Sequence, residues 1–155
     1  MKDYEKTGVL TLQDLNVPTD EQLKKGVAVI ECVQEIPCNP CVDVCPVNAI
    51  SMEHLNAPPH VDYEKCIGCG QCVAICPGLA IFLVTIRNNK ALVTLPYEML
   101  PLPRKGTKVT ALDRRGKATG TAIVTKLVKQ MDTVIITAEV AQNQAMNVRS
   151  IQVKS

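Results

Sequence analysis

Aromatic side chains are nearly missing from this chain. Its 155 residues include no Trp, one Phe and three Tyr. A core built here has to rest on Val, Ile, Leu and Ala, and there are too few aromatics for the base-stacking surfaces that bind single-stranded nucleic acid. Long apolar runs are missing as well. The longest, around residues 79–86, is far short of the ~18 to 20 residues of a membrane-spanning helix and reads as a buried strand. Residues 1–12 carry charges of both signs and lack the apolar stretch of a secretory leader. The expectation is a cytoplasmic protein with no membrane span. In that reducing compartment, clustered cysteines signal metal or redox chemistry rather than disulfides.

Cysteine is the residue the chain does have. There are eight, all between Cys32 and Cys76, and none beyond. Two segments repeat one pattern. Cys38-Asn-Pro-Cys41-Val-Asp-Val-Cys45-Pro46 parallels Cys69-Gly-Gln-Cys72-Val-Ala-Ile-Cys76-Pro77. Both read C-x2-C-x3-C-P and close on Ala-Ile, at Ile50 and Ile81. The second copy is preceded by Cys66, which completes C-x2-C-x2-C-x3-C-P. Three thiolates two residues apart on a tight loop can cap three irons of one cubane, and the fourth iron needs a ligand from elsewhere. Gly68 and Gly70 let the backbone wind closely around such a group. The first copy departs from the run. The position equivalent to Cys66 holds Glu35, and the nearest thiol is Cys32, three residues earlier. Three residues span at most ~10 Å, so the extra loop can bulge while Cys32 still reaches an iron.

Residues 27–82 resemble the two-cluster bacterial ferredoxins, most closely in Val61-Asp-Tyr-Glu-Lys-Cys-Ile-Gly-Cys-Gly-Gln-Cys72. The resemblance implies two [4Fe–4S] clusters with crossed ligation. Cys32, Cys38, Cys41 and Cys76 would hold one, and Cys66, Cys69, Cys72 and Cys45 the other. More loosely, the chain resembles the small ferredoxin-like subunits of flavin-dependent amino-acid, proline or opine dehydrogenase complexes, partly through Lys105-Gly106 to Asp113 and Gly116. That resemblance implies a flavoprotein dehydrogenase partner, with other iron–sulfur subunits possible beside it.

Other uses of the cysteines fit less well. All-cysteine zinc sites favour separated Cys pairs. A plant-type [2Fe–2S] centre needs C-x4-C-x2-C, whereas five residues separate Cys32 from Cys38 and Cys45 would be idle. His54 and His60 read as surface residues, and Tyr63 as packing near a cluster.

Charge divides the chain. Residues 1–80 carry 5 Lys and 11 Asp/Glu, a balance of −6. Residues 81–155 carry 12 Lys/Arg and 4 Asp/Glu, a balance of +8, and the two give the net +2. Two [4Fe–4S]2+ clusters with their thiolates would take the first part to about −10. The basic part, including Arg104-Lys105, Lys108 and Arg114-Arg115, has no nucleic-acid-binding motif and reads as a docking surface or a solvated face. Strands are predicted over 81–86, 91–95, 107–112, 118–128, 133–140 and 146–153, with turns at Asn88-Asn89 and Arg114-Arg115-Gly116. Thr19 is the expected N-cap of a short helix, with Gln22 completing a capping box and Gly26 closing it. A helical turn is predicted over 47–52.

The predicted fold is an α+β ferredoxin-like two-cluster module followed by a small all-β barrel or sandwich. The predicted division is an N-terminal segment 1–26, a 2[4Fe–4S] domain 27–82 and a β-rich domain 83–155. The function expected is electron transfer without catalysis, in a complex. The alternatives are a free ferredoxin with an appended β domain, and an iron–sulfur redox-sensing regulator.

Overall fold

The computed structural model describes residues 3–130 and 132–153. Helix α1 (Asp3–Thr7) and a 3-10 turn (Leu12–Asp14) precede α2 (Asp20–Lys25). In α2 the capping box forms as its residues demand: Thr19 Oγ1 accepts from the Gln22 backbone at 3.3 Å, and Gln22 Oε1 accepts from the Thr19 backbone at 2.9 Å. Gly26, at φ +89°, ends the helix and turns the chain directly into β1 (Val27–Ile30).

The two cysteine groups follow as a structural repeat. After β1 come α3 (Pro40–Val44) and β2 (Ile50–Ser51); after β3 (His60–Val61) come α4 (Gln71–Ile75) and β4 (Ile81–Arg87). The strand before each group pairs with the strand after the other. Ile30 lies opposite Ile81 between β1 and β4, and Ile50 opposite Val61 between β2 and β3. The helical turn expected over 47–52 is not there. Asn48 takes φ +56°, which breaks a right-handed turn, and Ile50–Ser51 becomes a strand with its partner ten residues on.

The rest of the chain is β5 (Lys90–Tyr97), β6 (Lys108–Leu112), β7 (Ala118–Gln130), β8 (Thr133–Ala141), a 3-10 turn (Gln142–Gln144) and β9 (Ser150–Gln152). Asn88 and Asn89 both adopt left-handed φ to close β4 onto β5. At the second hairpin, Asp113 accepts from the backbones of Arg115 and Lys117, at 2.8 and 3.0 Å, which holds its carboxyl below the ordinary range. The final strand is shorter than the predicted 146–153.

Seven of these strands form one antiparallel sheet in the order β1-β4-β5-β8-β7-β6-β9, and β2 and β3 form a separate pair. β7 turns a corner: its first half pairs with β6 and its second half with β8, with a register shift between Val124 and Lys126. Period-two alternation buries Ala91, Val93, Leu95 and Tyr97 on β5 and Val134, Ile136, Ala138 and Val140 on β8. Each fully buried Val, Leu or Ile of this set stabilises the sheet by about 1.5–3 kcal/mol. The border expected between residues 82 and 83 falls inside β4. Because β1 also joins this sheet, the cysteine-bearing part and the basic part share one core, running from Val27 and Val29 through Val84 to Ile151.

Candidate metal centre

Each C-x3-C-P segment makes the same local structure for the same reason. The helix ends at the last cysteine, Pro follows, and a residue with left-handed φ reverses the chain: Asn48 at +56° and Leu79 at +55°. The reversal brings the fourth backbone N–H back onto the sulfur. Ala49 N–H donates to Cys45 Sγ at 3.3 Å, and Ala80 N–H to Cys76 Sγ at 3.4 Å. A third such bond comes from β1, where Ala28 N–H donates to Cys66 Sγ at 3.4 Å.

The thiols fall into two groups, each drawing on both copies of the repeat. Cys45, Cys66, Cys69 and Cys72 line one cavity, walled by Ala28, Val47, Ala49 and Ile50. Cys32, Cys38 and Cys76 line a second, more open one with Glu31, Glu35 and Pro77. Cys41 belongs with this second group. Burial pushes its thiol up to about 11, and Cys76, Cys38 and Cys32 add to the rise as nearby like charges. Cys32 is raised too, mainly by burial, while the Gln34 backbone N–H opposes the rise. Cys72 is pushed up to about 12 by burial, then by Cys66, Cys69, Cys41 and Cys45. α3, which carries Cys41, packs on α4, which carries Cys72, so the two groups lie next to each other.

Exposure differs between thiols. Cys41, Cys66 and Cys72 are buried and Cys69 is exposed. Residues 34–37, which contain the enlarged part of the first loop, are exposed as that loop's extra length requires. His54 and His60 are exposed, and Tyr63 is buried with its hydroxyl donating to the Asn16 carbonyl. Among the described residues, no three Cys, His, Asp or Glu side chains converge closely enough to share a single metal ion; the thiols surround cavities. Soft thiolates with backbone N–H groups aimed at sulfur, around an apolar pocket, are a donor set suited to iron–sulfur clusters.

Two supports escaped the sequence reading. Lys25 Nζ donates to the carbonyls of Tyr63 and Glu64, at 2.7 and 3.1 Å, so the N-terminal segment braces the lead-in to Cys66. Glu31, just before Cys32, is gripped by Arg114 and Arg149. The capping box marked the start of α2 and Gly26 its end; nothing local pointed to either long-range contact.

Comparison with known proteins agrees with the cysteine pattern. Residues 31–81 match the 4Fe-4S dicluster domain. An aliphatic sulfonate oxidoreductase polyferredoxin-like subunit from Pyrococcus furiosus is 42% identical over 57 residues, covering 37% of this chain and 33% of that protein. An uncharacterized ferredoxin from Methanocaldococcus jannaschii is 48% identical over 61 residues, covering 39% of each. One subunit of an ion-translocating oxidoreductase complex from Methanosarcina acetivorans is 44% identical over 59 residues, 38% of this chain and 20% of that protein. The chain thus spans a fifth to two fifths of these relatives' lengths. No solved structure matches it. What the chain shares with known proteins is an iron–sulfur stretch of the 4Fe-4S dicluster type, covering about a third of its length.

Proposed function

We propose that this chain is a non-catalytic electron-transfer subunit that moves single electrons through two [4Fe–4S] clusters. Cys32, Cys38, Cys41 and Cys76 hold the first, and Cys66, Cys69, Cys72 and Cys45 the second, within a ferredoxin-like module whose sheet continues into the basic tail. The observation that carries this reading is the exchange of last cysteines: Cys45 lines the cavity of the second group and Cys76 that of the first.

A cubane supplies one-electron storage with little change of shape. The residues supply the rest. Thiols hold the irons; the Ala28, Ala49 and Ala80 N–H groups partly neutralise the sulfurs' charge; Val47, Ala49 and Ile50 keep water from the second site. The abutting of the two groups at Cys41 and Cys72 gives electrons a short path between them.

The partner in this reading is a flavoprotein dehydrogenase subunit, alone or with further iron–sulfur subunits. Its support is the contrast between an acidic cysteine module and a basic tail, together with two relatives whose names describe subunits of oxidoreductases. Co-expression with neighbouring genes followed by gel filtration tests it. A stable complex whose second chain carries flavin is the expected result. A monodisperse monomer that never co-purifies with another chain would sink the subunit reading.

A further inference from the structure

Glu31 immediately precedes Cys32, and two arginines from the far end of the chain hold its carboxylate. Arg114 Nε and Nη2 donate to Oε1 and Oε2 at 2.7 and 3.0 Å, and Arg149 Nε donates to Oε2 at 2.5 Å. The side chains of Arg149, Glu31 and Arg114 are 4%, 6% and 12% exposed. Arg149 Nη1 also donates to the carbonyls of Ala145 and Val148, and its guanidinium lies 5.1 Å from the Phe82 ring centre. Two cations therefore face one anion where water is nearly excluded, leaving one positive charge unbalanced.

An unbalanced buried charge is expensive unless something opposite lies near it. The thiols of the first group are the neighbouring candidates. Glu31 is bonded to Cys32, and its backbone N–H donates to Ala80 O at 2.8 Å. The Ala80 N–H in turn donates to Cys76 Sγ. The backbone of Glu31 is thus tied to two thiols of that group. Four thiolates around a [4Fe–4S]2+ core carry a net negative charge that grows on reduction. Glu5 and Glu35 border the same opening but are exposed, so solvent screens them. The second group has no such triad of its own, although Tyr63, three residues before Cys66, feels both Glu31 and Arg149. That group's brace, Lys25, is exposed, and Arg149 is the one charged residue that is buried as a whole among the described residues.

We propose that Arg114 and Arg149 are positioning residues that raise the reduction potential of the cluster held by Cys32, Cys38, Cys41 and Cys76, and act more weakly on the other. The basic tail thereby sets the driving force between the two clusters. This rests on the two-cluster reading above.

A charge series on the full-length, iron-loaded chain tests it, with each midpoint followed by EPR during redox titration. The first cluster is identified as the signal lost in Cys41→Ala. Arg149→Met and Arg114→Met each remove the surplus charge and are expected to lower the first midpoint. Glu31→Gln adds to the surplus and should raise it. The double variant Glu31→Gln/Arg149→Met restores the original balance and should return it close to the wild-type value. The second midpoint should move in the same direction by a smaller amount. Opposite shifts in Glu31→Gln and Arg149→Met support a charge effect, because loss of packing would not change sign between them. If Arg149→Met sheds iron, Glu31→Gln, which keeps both arginines, carries the same test. A first midpoint that ignores the series, or that falls in both single variants, would overturn the proposal. A wild-type chain holding only one cluster would instead defeat the two-cluster reading itself.

Discussion

Ile30 stands directly opposite Ile81 in the ladder between β1 and β4. The residue that leads into the first cysteine group is therefore paired with the residue that leaves the second. β4 then carries the pairing on to Val84 opposite Val27, and its other edge is bonded to β5. A chain stopped after residue 82 would keep all eight cysteines but lose most of β4, all of β5 and both arginines on Glu31. Such a fragment should express poorly and hold less than half the iron of the full chain. Iron content per purified chain checks this. A fragment with the full iron complement would show that the module folds alone.

Gly68 and Gly70 both have left-handed φ, at +71° and +78°, but their surroundings differ. A Cβ on Gly68 would lie 2.8 Å from the Gly26 carbonyl oxygen, whereas one on Gly70 would meet only Leu83 Cδ2 at 3.7 Å. Gly70→Ala should cost about 1 kcal/mol, the left-handed penalty alone. Gly68→Ala should cost about 3 kcal/mol, because backbone has to move as well. Unfolding of the iron-loaded variants in denaturant measures the difference. Equal losses would mean that the approach of the Cys66–Cys69 loop to Gly26 is not tight.

Much of the site was legible because its signals are local. The Thr19–Gln22 box and the Asn88-Asn89 turn each act within a few residues and form as read, and the C-x3-C-P repeat recurs as a structural repeat. The stretch 47–52 misled because its apolar pattern suits either a helical turn or a strand. What decides is Val61, which pairs with Ile50. The grip of Arg149 on Glu31 spans 118 residues and joins an acidic part of the chain to a basic one. Charge counting registered the contrast between the parts but not the contact. The two short helices α3 and α4 were hidden inside what read as tight loops.

Tyr63 gives a pH dependence of definite sign. Burial, then Cys66 and Glu31, pushes its phenol up to about 12. A folded-state value above the ordinary 10 means that the neutral form is favoured on folding. The stability tied to this group is present below pH 10 and is lost as pH rises through 12. Tyr63→Phe also deletes the hydroxyl bond to Asn16, at a cost of about 1 kcal/mol near neutrality. Denaturant unfolding at pH 8 and pH 11 should therefore show the variant weaker at pH 8 but less sensitive to the alkaline step. Parallel losses in the two proteins would remove Tyr63 from this account.

The central claim is crossed ligation, and replacing the last cysteine of each repeat tests it most directly. The account predicts about eight irons per wild-type chain. Cys45→Ala and Cys72→Ala should disturb one and the same EPR signal, while Cys76→Ala and Cys41→Ala disturb the other. If Cys45→Ala and Cys41→Ala instead altered the same cluster and left the Cys72 signal whole, each repeat would hold its own cluster, and the account would be wrong.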